Sequence, residues 1–149
     1  MALKVGDTIP RFTAKDAEGK RFESETIIGK KAAIIYFYPK DDTSQCTAEA
    51  CGFRDNYTDF VNLDVEVIGI SSDSVDSHQE FVQKYNLPFV LLSDSDQAIR
   101  ELFGVPSKIF GLLPGRVTYL VDKQGVIQEV FDSLLGTKHV SKMVQKVIK

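Results

Sequence analysis

The sequence contains no apolar run that approaches the roughly 18 residues needed to cross a bilayer, which argues against a membrane-spanning protein. Its first residues, Met1 to Asp7, lack the basic and then apolar order of a signal peptide. Lysine and arginine do not cluster and the formal net charge is only -3, so no electrostatic feature favours nucleic acid binding. We therefore expect a cytoplasmic protein that binds neither membrane nor nucleic acid.

Cysteine and histidine are scarce, with two of each in 149 residues. Two cysteines do not make a disulfide scaffold, so Cys46 and Cys51 are either incidental or chemically active. Their spacing differs from the Cys-x-x-Cys of dithiol oxidoreductases. His78 and His139 are far from them in sequence and complete no zinc pattern, so we expect both histidines to be surface residues or helix caps. A Ser-His-Asp arrangement, a phosphate-binding glycine loop and a Rossmann fingerprint are also missing from any suitable strand–helix context.

The hydrophobic pattern predicts one domain over residues 1–149 in which strands and helices alternate. The predicted strands are a hairpin over Phe12–Phe22, the buried runs Ala32–Tyr38 and Val65–Ser71, the short run Phe89–Leu92, and a second hairpin formed by Arg116–Val121 and Val126–Phe131. Helices are predicted over Thr47–Asn62, from Ser74 or Asp76 to Tyr85, over Asp96–Phe103, and at the end of the chain. This order is α/β and predicts a thioredoxin-like fold, with a central mixed sheet flanked by helices and an N-terminal β-hairpin, in which the first two long strands are parallel and adjacent.

Cys46 follows a buried strand and a polar loop, at or just inside the start of a predicted helix. Free backbone N–H groups and the helix dipole at that position favour the thiolate, which is the nucleophilic form of cysteine. The alternative is a buried structural cysteine. Cys51 lies five residues later, about 8–9 Å away on an ideal helix, whereas a disulfide tolerates less than about 7 Å between Cα atoms. If the two cysteines bond, the start of the helix must therefore unwind; otherwise Cys51 is a small residue of the inner helix face.

The motif Pro39-x-x-x-Thr43-x-x-Cys46 resembles the peroxiredoxin active-site signature. With Cys51 and the following Gly52–Asp55, it is similar to the peroxiredoxin Q, or bacterioferritin comigratory protein, subfamily, and the resemblance covers nearly the whole chain. One departure is visible, because the subfamily usually has Pro-Gly where this chain has Ser44-Gln45. These two residues are expected to influence loop rigidity, access to the pocket or the ease of unwinding.

The resemblance implies a role for each matching residue. Cys46 would be the cysteine that peroxide oxidises to sulfenic acid, and the hydroxyl of Thr43 would bond both the sulfur and the peroxide. Arg116 would stabilise the thiolate and the leaving oxygen, and Pro39 would shield the sulfur from water. Glu49 is a candidate partner of Arg116. Outside this group, Arg54 is expected to be structural, through Asp55 or the helix surface. Tyr36, Phe37 and Tyr38 are expected to belong to the core.

The resemblance also implies a thiol peroxidase that reduces hydrogen peroxide and organic hydroperoxides. Cys51 would resolve the sulfenic acid as an intramolecular disulfide, and thioredoxin or a similar dithiol protein would restore both thiols. Such an enzyme needs no metal, flavin or haem, and the close relatives include monomers. Two alternatives are a thiol-disulfide oxidoreductase that acts on protein disulfides and a redox-sensing binding module whose disulfide changes a surface.

Overall fold

The fold is known from a computed structural model that describes residues 2–105, 107–108 and 113–149. The strands are β1 (Thr13–Asp16), β2 (Arg21–Glu23), β3 (Ala32–Phe37), β4 (Val65–Ser71), β5 (Val90–Ser93), β6 (Ser107–Lys108), β7 (Leu113–Pro114), β8 (Val117–Val121) and β9 (Ile127–Asp132). The helices are α1 (Ser44–Asp55), α2 (Tyr57–Asn62), α3 (Val75–Tyr85), α4 (Ala98–Phe103) and α5 (Gly136–Met143), which continues as a π-helical turn over Val144–Ile148. None of the helices in the described ranges is long and apolar enough to span a membrane.

Seven strands form one mixed sheet in the order β2-β1-β5-β4-β3-β8-β9. The two long buried strands, β3 and β4, are parallel neighbours, as the sequence predicts. The N-terminal hairpin β1–β2 joins the sheet by antiparallel pairing of β1 with β5. On the other side, β8 runs antiparallel to β3 and carries β9 at the edge. The strands predicted at both ends of the chain therefore belong to a single sheet.

Strand β3 is buried on both faces, which explains its uninterrupted apolar sequence. Because side chains alternate along a strand, Ala33, Ile35 and Phe37 pack into the core that includes α4, whereas Ile34 and Tyr36 pack into the core that includes α1 and α5. Each of the larger buried side chains contributes about 1.5–3 kcal/mol of hydrophobic free energy. The predicted core position of Tyr36, Phe37 and Tyr38 is confirmed.

The predicted helix over Thr47–Asn62 is two helices, and its first residue is Ser44. The break lies at Asn56, whose side-chain amide donates to the carbonyl of Gly52 at 2.9 Å. This bond competes with the regular backbone ladder of the helix. The apolar residues keep helical spacing across the break, so periodicity alone could not reveal it. The cap of α3 at Ser74 follows the prediction, because the Ser74 hydroxyl accepts from the Ser77 N–H.

The prediction that His78 and His139 are surface residues or helix caps is wrong, because both are fully buried. Each lies in the first turn or so of a helix, in a locally polar stretch of sequence, and each has partners for both ring nitrogens. Those partners come from distant parts of the chain and replace the water that a buried imidazole loses.

Candidate active site

Cys46 lies in the first turn of α1, at the end of the loop that follows β3. Thr43 is the N-cap residue with extended backbone, so Cys46 is the third residue of the helix. Its side chain is 1% exposed. The first N–H groups of a helix have no partner within the helix, and together with the dipole they favour an anion at this position.

Arg116 supplies a full positive charge beside this sulfur. It lies just before β8, and the pairing of Val117 with Phe37 places it opposite the end of β3, where the loop to α1 begins. The Arg116 side chain is buried, and its Nη2 lies 3.2 Å from Cys46 Sγ. Its Nε donates to the carbonyl of Leu134 at 3.3 Å. A buried guanidinium at hydrogen-bond distance stabilises a thiolate and any negative charge that develops near it.

Glu49 lies one turn after Cys46 and holds the other side of the guanidinium. Its Oε1 accepts from Arg116 Nη1 at 2.6 Å, whereas its buried Oε2 has no hydrogen-bond partner among the residues that the structure describes. Burial raises the pKa of Glu49 to about 8, although the charge of Arg116 opposes the shift. Burial also tends to lower the pKa of the Arg116 guanidinium. The charges of Glu49 and Cys46 and their hydrogen bonds to the guanidinium outweigh burial, so its pKa is raised. Near neutral pH the arginine is thus cationic, and the Glu49 carboxyl is largely protonated.

Thr43 and Pro39 lie in the segment between β3 and α1, just before the helix that carries Cys46. The hydroxyl of Thr43 donates to the carbonyl of Lys40 at 2.9 Å and makes no capping bond to α1. Because a hydroxyl has one hydrogen and two lone pairs, its oxygen can still accept a hydrogen bond. Pro39 is half-buried two residues after β3. The contacts of Thr43 and Pro39 with the sulfur that the resemblance implies stay predictions.

Cys51 lies on the same continuous helix, part-buried, and both cysteines are free thiols. The next residue, Gly52, faces α5 so closely that an added Cβ would lie 2.8 Å from the side chain of Val140. The helical path from Cys46 to Cys51 keeps their Cα atoms about 8–9 Å apart, beyond disulfide reach. A bond between them requires α1 to lose its first turns, as the spacing predicts.

Gln45, one of the two residues that depart from the subfamily pattern, connects α1 to α5. Its Oε1 accepts from the N–H of Gly136, the first residue of α5, at 2.8 Å. Gly136 is pressed against the same turn, because an added Cβ would lie 2.8 Å from Cβ of Glu49. Only glycine allows this approach of the two helices. The start of α1 therefore cannot unwind without breaking a hydrogen bond to α5.

The loop before α1 is anchored to α3 through two aspartates. Asp41 is buried and accepts from the hydroxyl of Tyr38 at 2.6 Å, from the hydroxyl of Ser77 at 2.8 Å, and faces His78 Nδ1 at 2.6 Å. Asp42 has a left-handed backbone, with φ of +57°, and is held by two residues at the end of α3, the ammonium of Lys84 and the hydroxyl of Tyr85, each at 2.7 Å. These anchors were not found from the sequence, since 36 to 43 residues separate most of the partners.

Asp41, Asp73 and His78 are close enough to hold a metal ion, with one possible ligand atom from each within 4.8 Å of the others. These atoms are nevertheless engaged by protein groups: Asp73 Oδ2 accepts from the N–H of Asp41 and from the Ser71 hydroxyl, and Asp41 Oδ2 faces Ser77 and His78. We interpret the cluster as a hydrogen-bonded network that fixes the loop. Arg54 also has a structural contact, because it pairs with Asp55 and donates to the carbonyl of Tyr85.

The known proteins that are similar to this chain include peroxiredoxins. A model of the AhpC/TSA family matches residues 5–130. Chloroplastic peroxiredoxin Q of Sedum lineare is 47% identical over 141 residues, which cover 94% of this chain and 75% of the relative. A protein of Coxiella burnetii named as a peroxiredoxin is 44% identical over 154 residues, covering 99% of this chain and 100% of the relative.

A solved structure of Xanthomonas campestris bacterioferritin comigratory protein, obtained to study its alkyl peroxide reduction activity, matches with a TM-score of 0.84. The identity is 25%, and the match covers 95% of this chain and 98% of that chain. The match confirms the thioredoxin-like fold predicted from the order of strands and helices.

Proposed function

Because the chain belongs to the AhpC/TSA family and is a thiol-dependent peroxidase similar to peroxiredoxin Q and bacterioferritin comigratory protein, we propose that Cys46 is the residue that the hydroperoxide substrate oxidises. The observation that carries this proposal is the 3.2 Å contact between Arg116 Nη2 and Cys46 Sγ in a buried helix start. The thiolate sulfur bonds one peroxide oxygen while the O–O bond breaks. The products are a sulfenic acid and a hydroxide or alkoxide, which takes up a proton and leaves as water or an alcohol.

In this step, Arg116 stabilises the thiolate before attack and the charge on the leaving oxygen during it. Thr43 accepts a hydrogen bond from the hydroperoxide O–H, because its own hydrogen is engaged by the Lys40 carbonyl. Pro39 limits the access of water to the sulfur. Glu49 holds the guanidinium in place without removing its charge from the sulfur, since its carboxyl keeps a proton near neutral pH.

Cys51 completes the cycle as the resolving cysteine. After the first turns of α1 unwind, the Cys51 thiol attacks the sulfenic sulfur, a disulfide forms and water leaves. A thioredoxin-type dithiol protein then exchanges its two thiols for the disulfide and restores Cys46 and Cys51. Sulfur carries both electrons throughout, so the cycle runs without a metal, flavin or haem.

The remaining features are proposed on the same basis. Hydrogen peroxide and organic hydroperoxides are both substrates; the alkyl peroxide activity of the Xanthomonas campestris relative supports the second class. Residues 1–149 act as one domain and as a monomer, with thioredoxin itself as the reductant. The cytoplasm is the proposed location, supported by the bacterial relative that matches from end to end, while the plant relative is chloroplastic.

Substitution of each cysteine separates the two roles. Cys46→Ser is expected to abolish thioredoxin-dependent peroxide consumption, because the nucleophile is lost. Cys51→Ser is expected to form the sulfenic acid at the normal rate but to lose efficient recycling by thioredoxin. Peroxide consumption and mass mapping of the oxidised chain measure both effects. Turnover that survives in Cys46→Ser would show that the roles are assigned wrongly.

A further inference from the structure

His139 is a fully buried residue of α5 whose two ring nitrogens both have short hydrogen-bond contacts. Its Nε2 lies 2.7 Å from the carbonyl oxygen of Ser133, and its Nδ1 lies 2.7 Å from the hydroxyl of Thr118. A carbonyl oxygen only accepts, so Nε2 carries the hydrogen and Thr118 donates to Nδ1. The ring also packs edge-to-face on Phe131, with centroids 4.8 Å apart. The imidazole is thus held in one orientation and one tautomer.

These contacts connect His139 to residues that lie next to Arg116 or next to the groups that bind it. Thr118 lies in β8, two residues after Arg116, which directly precedes that strand. Ser133 precedes Leu134, whose carbonyl accepts from Arg116 Nε. His139 Nδ1 also lies 3.7 Å, beyond hydrogen-bond distance, from Oε2 of Glu49, whose other oxygen accepts from Arg116 Nη1.

The ring is also uncharged at this position. Burial lowers the pKa of His139 to about 4, and the charge of Arg116 adds to the shift, while the bond to Ser133 and the charge of Asp132 oppose it. A neutral ring does not compete with Arg116 for the carboxyl of Glu49. The guanidinium is left as the cation of this cluster that contacts the Cys46 sulfur.

We propose that His139 is a positioning residue for Arg116: it ties Thr118, two residues after the arginine, to the carbonyl of Ser133, next to Leu134, whose carbonyl accepts from the guanidinium. This inference rests on the proposed role of Arg116 in the peroxidase reaction. Removing the imidazole frees the segment Ser133–Leu134 and lets the guanidinium shift. A shift of about 1 Å at a reacting centre costs on the order of 10²-fold in rate.

The test is a double-mutant cycle on the second-order rate constant of Cys46 with hydrogen peroxide, measured from pH 5 to pH 9. His139→Phe keeps a buried ring but loses both bonds, and we expect a 10- to 100-fold lower rate constant with the midpoint of the pH profile displaced upward. His139→Gln, which keeps an N–H donor toward Ser133, is expected to recover part of the rate. In an Arg116→Ala background, His139→Phe is expected to add no further loss.

The outcomes separate the inference from the proposed function. A normal rate in Arg116→Ala would remove the arginine from the reaction and with it the premise. A low rate in Arg116→Ala that falls by a further 10-fold or more in the double variant would show that His139 does not act through Arg116. A loss of rate without a displaced midpoint in His139→Phe would indicate only a smaller folded fraction and would overturn the inference.

Two further variants guard against a folding defect. Met143→Leu changes a fully buried side chain of the same helix outside the network, and it is expected to leave the rate constant and the midpoint unchanged. If His139→Phe does not fold, Thr118→Val conserves the shape of its side chain and breaks the bond to Nδ1. A displaced midpoint in Thr118→Val supports the inference, and an unchanged midpoint contradicts it.

Discussion

Arg116 faces two acidic groups at once, the thiol of Cys46 on Nη2 and the carboxyl of Glu49 on Nη1. If both were ionised, they would share one positive charge. Burial raises the pKa of Glu49 to about 8 and keeps that carboxyl largely protonated near neutral pH, so it does not neutralise the guanidinium beside the sulfur. The same carboxyl still orients the guanidinium through its hydrogen bond. In the proposed mechanism, Glu49 thus serves geometry and Cys46 serves chemistry.

Thr43 provides a test at the same scale. Thr43→Val removes the hydroxyl while it keeps a branched side chain, and we expect the rate constant of Cys46 with hydrogen peroxide to fall by about 10²-fold, as for loss of one oriented polar contact. Thr43→Ser keeps the hydroxyl and is expected to stay within a few-fold of the natural protein. Since the hydroxyl makes no cap bond to α1, helix content is expected to be equal in both variants. Equal rates in the two variants would exclude Thr43 from substrate alignment.

At the scale of elements, the proposed cycle depends on the balance between a folded and an unwound start of α1. The folded start places Cys46 beside Arg116, whereas in the proposed cycle only the unwound start allows Cys51 to reach the sulfenic acid. The bond from the Gly136 N–H to Gln45 favours the folded form. Glycine, which the subfamily usually has at this position, lacks a side chain that could make this bond. We therefore expect the unwinding step to be slower in this chain than it would be without Gln45.

Gln45→Met measures the contribution of that bond, because methionine keeps the length and helix propensity of glutamine but has no acceptor for the N–H. A hydrogen bond contributes about 0.5–1.5 kcal/mol, so disulfide formation after one equivalent of peroxide is expected to be about 2- to 10-fold faster. Quenched-flow alkylation and mass spectrometry follow the reaction. Gln45→Glu keeps an acceptor and is the control, expected to show no acceleration.

The same variant has a second readout. A sulfenic acid that closes quickly on Cys51 is exposed for less time to a second peroxide molecule, which would produce sulfinic acid. Gln45→Met is therefore expected to accumulate less sulfinic acid at high peroxide concentration than the natural protein. Equal closing rates in the Met and Glu variants would show that the contact with α5 does not limit the opening of α1.

At the scale of the whole molecule, two buried groups tie stability to pH with opposite signs. Folded Glu49 keeps its proton up to a pKa of about 8, far above its ordinary value, so raising the pH toward 8 weakens the fold. Folded His139 stays neutral down to a pKa of about 4, so lowering the pH below its ordinary 6.5 also weakens the fold. Between about pH 4.5 and 6.5, a rise in pH stabilises the fold through His139 and destabilises it through Glu49. Above pH 6.5, of these two effects only that of Glu49 remains.

The Glu49→Gln variant isolates the contribution of Glu49 to the pH dependence of stability. In the natural protein the Glu49 contribution lowers the free energy of unfolding by up to about 1.4 kcal/mol per pH unit between pH 6.5 and 8, and the variant lacks it. Urea unfolding at pH 6.5, 7.25 and 8 measures the difference between the two proteins at each pH. That difference is expected to change steadily in favour of the variant as the pH rises. Parallel curves would mean that Glu49 is already ionised at pH 6.5.

The fold was largely predictable because its determinants are local. The buried runs that became β3 and β4, and the serine that caps α3, are readable in the sequence itself. What escaped prediction depends on partners far apart along the chain: Asp41 is 37 residues from His78, Thr118 is 21 from His139, and Gln45 is 91 from Gly136. A motif locates the reacting sulfur, but the groups that orient its surroundings become neighbours only when the sheet forms.

Asp41 and Asp42 anchor the loop before α1 to α3, and this anchor limits how far Cys46 can move when the start of α1 unwinds. Four residues past Asp42, a fully extended chain reaches at most about 14 Å, so the oxidised sulfur stays within a small volume beside its own helix. Two groups on so short a tether meet at an effective concentration in the millimolar range or above. In the proposed cycle, this proximity favours a bond within one molecule over a bond between two, even where many copies of the chain are crowded together.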